Sequence, residues 1–295
     1  MIKHSYLINK EIIFCILAED RRFFYGEILY GTKKIDGVKT ILIDNIKYYK
    51  YWQLSDRKNK GSYSRYFNKI KHLYPHEKFK HHLIGDLFKI SKSEKCQILS
   101  PKKINHFNRE LSRLGYKLAK LLRINKEYVR FGGGILLNEG YKNLGDVDII
   151  IFGLKNNRKA SISINRLLRE NKFFLNEPNS LNRRRFRYRK NIICPFGVYK
   201  SDNLFENNFL KKESPKEIFA EVIDNSHSLF SPAVYKILID KKIGYLVSYF
   251  VGHVHLLNIG DKIKFRAPLC FFNNKKILSA YIIPIQGSWI EILSS

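Results

Sequence analysis

Two aspartates stand two residues apart at the head of an apolar run, Asp146-Val147-Asp148-Ile149-Ile150-Ile151-Phe152. Side chains alternate faces along an extended strand, so both carboxylates would project from one side and converge on one site. Adjacent like charges repel unless a cation lies between them, and hard oxygen donors of this kind suit Mg²⁺ or Mn²⁺. Upstream, Gly132, Gly133 and Gly134 follow Phe131. Glycines at a strand-to-helix turn let backbone N–H groups approach phosphate oxygens. An anion cradle beside a metal-binding acid pair is equipment for moving a nucleotidyl group. On the residues alone two plainer readings stay open: the acids could cap and solvate a strand end, and the glycines could serve a turn that needs positive φ.

A metal pair of this type calls for a third carboxylate on a neighbouring strand. Glu221 and Asp224 are the candidates, with Asp202 behind them. Residues three apart face opposite sides of a strand, so at most one of the first two can serve. Asp224 is preferred because it closes an apolar strand much as Asp146 opens one; a satisfied turn residue is the alternative. His253 and His255 would share a strand face, but without a third ligand nearby a solvated or core position is the simpler reading. In the stretch Arg183 to Lys190, arginines interleave with Phe186 and Tyr188. That pattern offers phosphate pairing by Arg184, Arg187 and Arg189 with base stacking by the rings. It would equally give a half-buried strand with a basic solvated face.

The run from Phe131 to Ile151 resembles the signature of the DNA polymerase β-like nucleotidyltransferase superfamily: a hydrophobic residue, Gly, then Gly or Ser, a short helix, Asp-hydrophobic-Asp and a hydrophobic strand. About a dozen residues separate the glycine pair from Asp146. More narrowly, the order of parts is similar to a poorly characterised archaeal branch of predicted nucleotidyltransferases. The matching pieces are the N-terminal strand unit, the Gly/Asp core, the stretch from Ala220 to Tyr235 and a terminal β segment with Gly260-Asp261-Lys262-Ile263. The resemblance implies that Mg²⁺ (or Mn²⁺) held by Asp146 and Asp148, with Asp224 completing the site, moves a nucleotidyl group from an NTP to an acceptor. Gly132 and Gly133 would hold the triphosphate. Members usually carry Ser after the first Gly or before the metal pair, where this chain has Gly133, Gly134 and Gly145. The missing hydroxyl supports an alternative, a catalytically inert module of the same kind that binds RNA or a ribonucleoprotein.

The elements that must position these residues follow from pattern. Short apolar runs at Ile12 to Leu17, Phe23 to Tyr30 and Thr40 to Ile43, parted by Gly26, Gly31 and Asp36-Gly37, are strand and turn signals, and a helix fits Tyr66 to Leu73. Ser100-Pro101 offers a cap followed by Pro at a first helical position. Ile104, Phe107, Leu111, Leu114, Leu118, Leu121 and Leu122 then repeat at helical spacing, predicting one helix over about 101–123. Strands are expected at Tyr128 to Phe131 and Val147 to Phe152, with a second helix from Ser161 to Glu170. Regular short strands from Ile192 onward suggest a small C-terminal barrel of the OB kind, which periodicity alone does not separate from a sandwich. The expected class is α+β: an N-terminal β-rich or α+β unit (1–98), a central nucleotidyltransferase fold with a mixed sheet and helices (99–213), and a C-terminal β-barrel-like unit (214–295).

At 295 residues with 44% hydrophobic and 14% aromatic content, the chain is rich enough in core-forming residues to exclude a disordered or low-complexity class. Cys15, Cys96, Cys194 and Cys270 show no CxxC pair, so a zinc ribbon or disulfide framework is not indicated and reduced buried thiols are expected. No stretch approaches the roughly eighteen apolar residues that span a bilayer, and the early apolar run lacks a cleavage site. A soluble, cytoplasmic protein with no membrane partner is therefore expected. A formal charge of +28 draws polyanions, RNA or single-stranded nucleic acid among them. The strong Lys, Ile and Asn usage gives the same excess by base composition alone, with lysines scattered over every surface.

Overall fold

The computed structural model describes residues 5–54, 62–74, 78–137, 146–175, 185–198, 208–285 and 289–294. Among them strands dominate: twenty-two are present beside only three α-helices, arranged as three sheets. The expected α+β class, with a central nucleotidyltransferase fold of mixed sheet and helices, is thereby overturned. Most of these segments are short runs of β-branched and aromatic residues, which suits paired strands; among the described residues three segments form α-helices.

The first sheet is antiparallel throughout and takes β1 (Tyr6–Ile8), β2 (Ile12–Glu19), β3 (Phe23–Gly31), β4 (Thr40–Ile43), β5 (Ile46–Tyr49), β6 (Lys78–His81), β7 (Gly85–Ser91) and β8 (Gln97–Leu99). Helix α1 (Ser62–Leu73) covers one face, packing Tyr66 and Ile70 on Phe14, Ile16 and Phe88. Val234, Val247, Phe272 and Ile282 from the third sheet join the same core. The opposite face gathers Ile13, Tyr30 and Tyr48 with Leu137, which ends the short helical turn after the glycines.

The middle sheet runs β12 (Phe174–Leu175), β13 (Phe186–Tyr188), β14 (Asn191–Val198), β11 (Val147–Phe152), β10 (Val129–Gly132), β9 (Lys102–Lys103). Only β11 and β14 pair in parallel. Helices α2 (Arg109–Leu121) and α3 (Leu154–Arg169) cover one face, where Val147, Ile149 and Ile151 meet Leu114, Leu118, Ile164 and Leu167. Helix α2 starts eight residues later than the apolar repeat suggested. Lys102 and Lys103 pair with Phe131 and Arg130 as an edge strand, and the Asn108 side chain caps the helix by accepting the Leu111 N–H. Ile104 and Phe107 still reach the same core from outside the helix, which is why the periodicity ran on. Helix α3 begins at Leu154, directly after β11, where Gly153 at φ +83° turns the chain.

The third sheet has the order β15 (Phe209–Lys212), β20 (Leu269–Phe272), β21 (Ser279–Ile283), β18 (Lys242–Ser248), β17 (Ala233–Ile239), β16 (Lys216–His227), β19 (Lys262–Ala267), β22 (Ile290–Ser294). Its ends, β15 and β22, are not paired to each other among the described residues, so the expected small barrel is replaced by an eight-stranded sheet. Val222, Tyr235, Ile237, Phe265 and Leu257 form its core. None of the described helices is long and apolar enough to cross a membrane.

Candidate metal centre

Strand β11 carries the two aspartates on the face turned away from the helices. Its odd-numbered residues fill the helix-side core, whereas Ile150 on the other face packs with Cys194, Phe196 and Val198. Asp146 and Asp148 share the parity of Ile150 and so lie on this second face, both half-buried. The neighbouring strands supply what surrounds them. Gly132 on β10 and Cys194 on β14 are the register partners of Asp148, one on each side. Ligand atoms of Asp146, Asp148 and Cys194 all fall within 4.8 Å of one another. Among the described residues, the grouping contains no third carboxylate.

Arg185, the residue just before β13, closes the cluster. Its guanidinium lies 3.0 Å from the Asp146 carboxylate. Burial works to lower the Arg185 pKa, but Asp146, Cys194 and Asp148 outweigh it and raise it above its ordinary value. From the first sheet, Tyr6 and Tyr30 look toward the same acids. Burial, reinforced by the charges of Asp148 and Asp146, pushes both phenol pKa values up, so these rings face the site as neutral donors. The site is therefore built of two acids and a thiol, with an arginine against Asp146.

The glycines have specific local causes. A Cβ on Gly132 would meet the Ile150 side chain at 2.9 Å. Gly133 has φ +65°, and the space its Cβ would fill is already taken by the carboxylate of Asp148. Gly132 thus lets an apolar side chain, and Gly133 the Asp148 carboxylate, press against the backbone, and of the three glycines only Gly133 has the positive φ of the turn reading. A four-residue helical turn, Gly133–Leu136, follows them.

Asp224 is not part of the cluster, and its assignment as the third carboxylate is corrected. It sits on β16 in the third sheet, paired with Lys236, where its carboxylate accepts the Ser226 N–H at 2.7 Å. Burial would raise its pKa, yet Ser226, His227 and Arg158 hold it below the ordinary value. Arg158 belongs to the first half of α3, beyond the far end of β11 from Asp146, so Asp224 faces the opposite end of the strand. Rather than closing an apolar strand, Asp224 lies inside β16, which continues to His227 and belongs to another sheet. The neighbours of β11 are β10 and β14, and beside Asp148 they present a glycine and a thiol.

The basic stretch divides between two faces. Arg187 on β13 has the parity of Arg185 and shares the face of the acids. Arg189 lies in the following turn at φ +55°, over the Tyr188 ring at 5.7 Å, in a basic hollow with Lys117, Lys120, Arg123, Arg166 and Lys172 on the helix side. Arg183, Arg184 and Asp202 fall outside the described residues. Phe186 is fully buried and stacked on Phe173 at 4.2 Å, which removes it from any base-stacking role. The histidines are buried too, in a turn rather than on a strand: His253 Nδ1 meets Ser248 Oγ at 2.8 Å and His255 Nδ1 meets Ser228 Oγ at 3.1 Å.

No family model, no curated protein and no solved structure matches this chain.

Proposed function

We propose that the protein is a divalent-metal-dependent nucleotidyltransferase, moving a nucleotidyl group from an NTP to an acceptor with release of pyrophosphate. The observation that carries the reading is the convergence of the Asp146 and Asp148 carboxylates on one face of β11, where a cationic side chain already answers the charge of Asp146. The donors fit a divalent ion: two carboxylates from one strand and a thiol from the next, all within 4.8 Å. Such an ion, Mg²⁺ or Mn²⁺ on the carboxylates, would neutralise a bound triphosphate and draw charge off the reacting phosphorus. Arg185 and Arg187, on the same face, would pair with phosphate oxygens. The choice of nucleotidyl transfer among phosphoryl chemistries rests on the motif's resemblance and on the site, since a fold by itself does not specify a reaction. RNA is favoured as acceptor by the net charge of +28 and by the basic hollow around Arg189.

The test incubates the full chain with each of the four α-labelled NTPs, Mg²⁺ or Mn²⁺, and a mixed RNA acceptor. Pyrophosphate release and label transfer, both lost in Asp148→Asn, are expected. A second reading, an inert module that binds RNA, is favoured by the Arg185 to Asp146 pairing, in which the chain supplies its own counter-ion. Nucleotide or RNA binding without pyrophosphate release, in any combination of NTP and metal, would replace the first reading by the second.

A further inference from the structure

We propose that Cys194 is itself a metal ligand, so that the site selects a borderline, thiolate-accepting divalent ion of the Zn²⁺ class over Mg²⁺. The inference rests on the reading of Asp146 and Asp148 as metal ligands, names the third donor, and replaces the Mg²⁺ of that reading by a thiolate-accepting ion.

Three observations carry it. Cys194 is the direct register partner of Asp148 on the adjacent parallel strand, so the two side chains stand side by side on one face. Its sulfur lies within 4.8 Å of ligand oxygens of both aspartates. Tetrahedral ligands around one ion with bonds of about 2.0–2.3 Å stand roughly 3.5 Å apart, so the three donors need to close by little more than an ångström. Beside them, the Arg185 guanidinium lies 3.0 Å from the Asp146 carboxylate, so a cation already sits against the oxygen donors. Gly133, whose missing side chain leaves room for the Asp148 carboxylate, holds that donor in the cluster.

The chemistry follows from donor type. Thiolate favours Zn²⁺ and its neighbours, whereas Mg²⁺ binds all-oxygen sets and keeps its waters. On binding, the sulfur–metal bond forms as the thiol proton leaves to solvent, and the guanidinium must withdraw from Asp146. Three protein donors leave further positions open for water or a phosphate oxygen, the arrangement of a reactive rather than a purely structural ion. Arg185, released from the carboxylate, stays on the same face beside an incoming anion.

Co²⁺ is the probe, because a sulfur–Co²⁺ bond gives a near-ultraviolet charge-transfer band that oxygen ligands do not. Metal-free full-length protein titrated with Co²⁺ should develop that band at one equivalent. Cys194→Ser should lose it, while Cys15→Ser, Cys96→Ser and Cys270→Ser keep it. Stoichiometric Zn²⁺ should erase the band and a hundredfold excess of Mg²⁺ should not. Arg185→Gln, which removes the competing cation, should tighten Co²⁺ about tenfold, and Cys194→Asp should bind Mn²⁺ without the band. Co²⁺ bound by the wild type through Asp146 and Asp148 with no charge-transfer band, or a band that survives in Cys194→Ser, would overturn the thiolate ligand and leave the carboxylate site standing. Failure of Co²⁺, Mn²⁺ and Mg²⁺ alike to bind would overturn both.

Discussion

The carboxylate of Asp148 occupies the volume in which a side chain on Gly133 would begin. The glycine, at φ +65°, is thereby fixed twice, by backbone conformation and by the acid across the strand pair. Gly133→Ala should destabilise the protein by about 2 kcal/mol and lower divalent-ion affinity by displacing Asp148. Gly134→Ala in the same turn is the control. Equal effects of the two substitutions in urea unfolding and ion titration would mean that Asp148 is not the reason for the glycine.

Replacing Asp146 or Asp148 by Asn should remove divalent-ion binding while the protein stays folded. The ion pair with Arg185 involves half-exposed groups, with side-chain exposures of 26% and 30%, so losing it in Asp146→Asn should cost no more than about 1 kcal/mol. Calorimetric ion titration beside a thermal melt separates the two effects; a variant that unfolds, or one that binds the ion as the parent does, contradicts the site.

Asp224→Asn should leave ion binding unchanged, because its carboxylate answers Ser226, His227 and Arg158 rather than the acid pair. A loss of ion affinity comparable to that of Asp148→Asn would restore Asp224 to the metal site.

Two buried histidines set an acid limit on stability. Burial lowers the pKa of His253 from 6.5 to about 3, and burial with the charge of His82 lowers that of His81 to about 4. Both pKa values are depressed in the folded state, so the unfolded chain binds more protons below pH 6.5. The stability these groups contribute is complete above that pH and is lost as pH falls toward their folded values. Urea unfolding from pH 6.5 to 5, above most carboxylate titration, should show a slope approaching about 1.4 kcal/mol per pH unit for each histidine. His253→Gln should remove one such increment, and an unaltered slope in that variant would reject the assignment.

RNA affinity should fall on neutralising Arg187 and Arg189 together, with the log K against log[salt] slope flattening by roughly 0.7 for each phosphate of a single strand that is no longer neutralised. Phe186→Ala should instead cost about 3–4 kcal/mol of folding stability by hollowing the stack on Phe173. Folded Phe186→Ala protein with weakened RNA binding and undiminished stability would show that the ring meets bases after all.

The sequence by itself determined what depends on neighbours along the chain. Strand alternation placed Asp146 and Asp148 on one face, and β11 spans Val147–Phe152 as the apolar run indicated. Strands at residues 12, 23 and 40 and the helix near Tyr66 follow from local pattern as well. Only the tertiary structure decided which strand lies beside β11, because pairing between distant segments is set by burial of whole faces and leaves no local signal. That choice gave β14 and Cys194 the place for which Asp224 had been expected, although Cys194 lay in plain view on an anticipated strand. It brought Arg185 onto Asp146 and turned Phe186 inward against Phe173. The same physics moved the start of α2: an apolar repeat reports that residues share a core, whether they reach it from a helix or, like Ile104 and Phe107, from the chain before it.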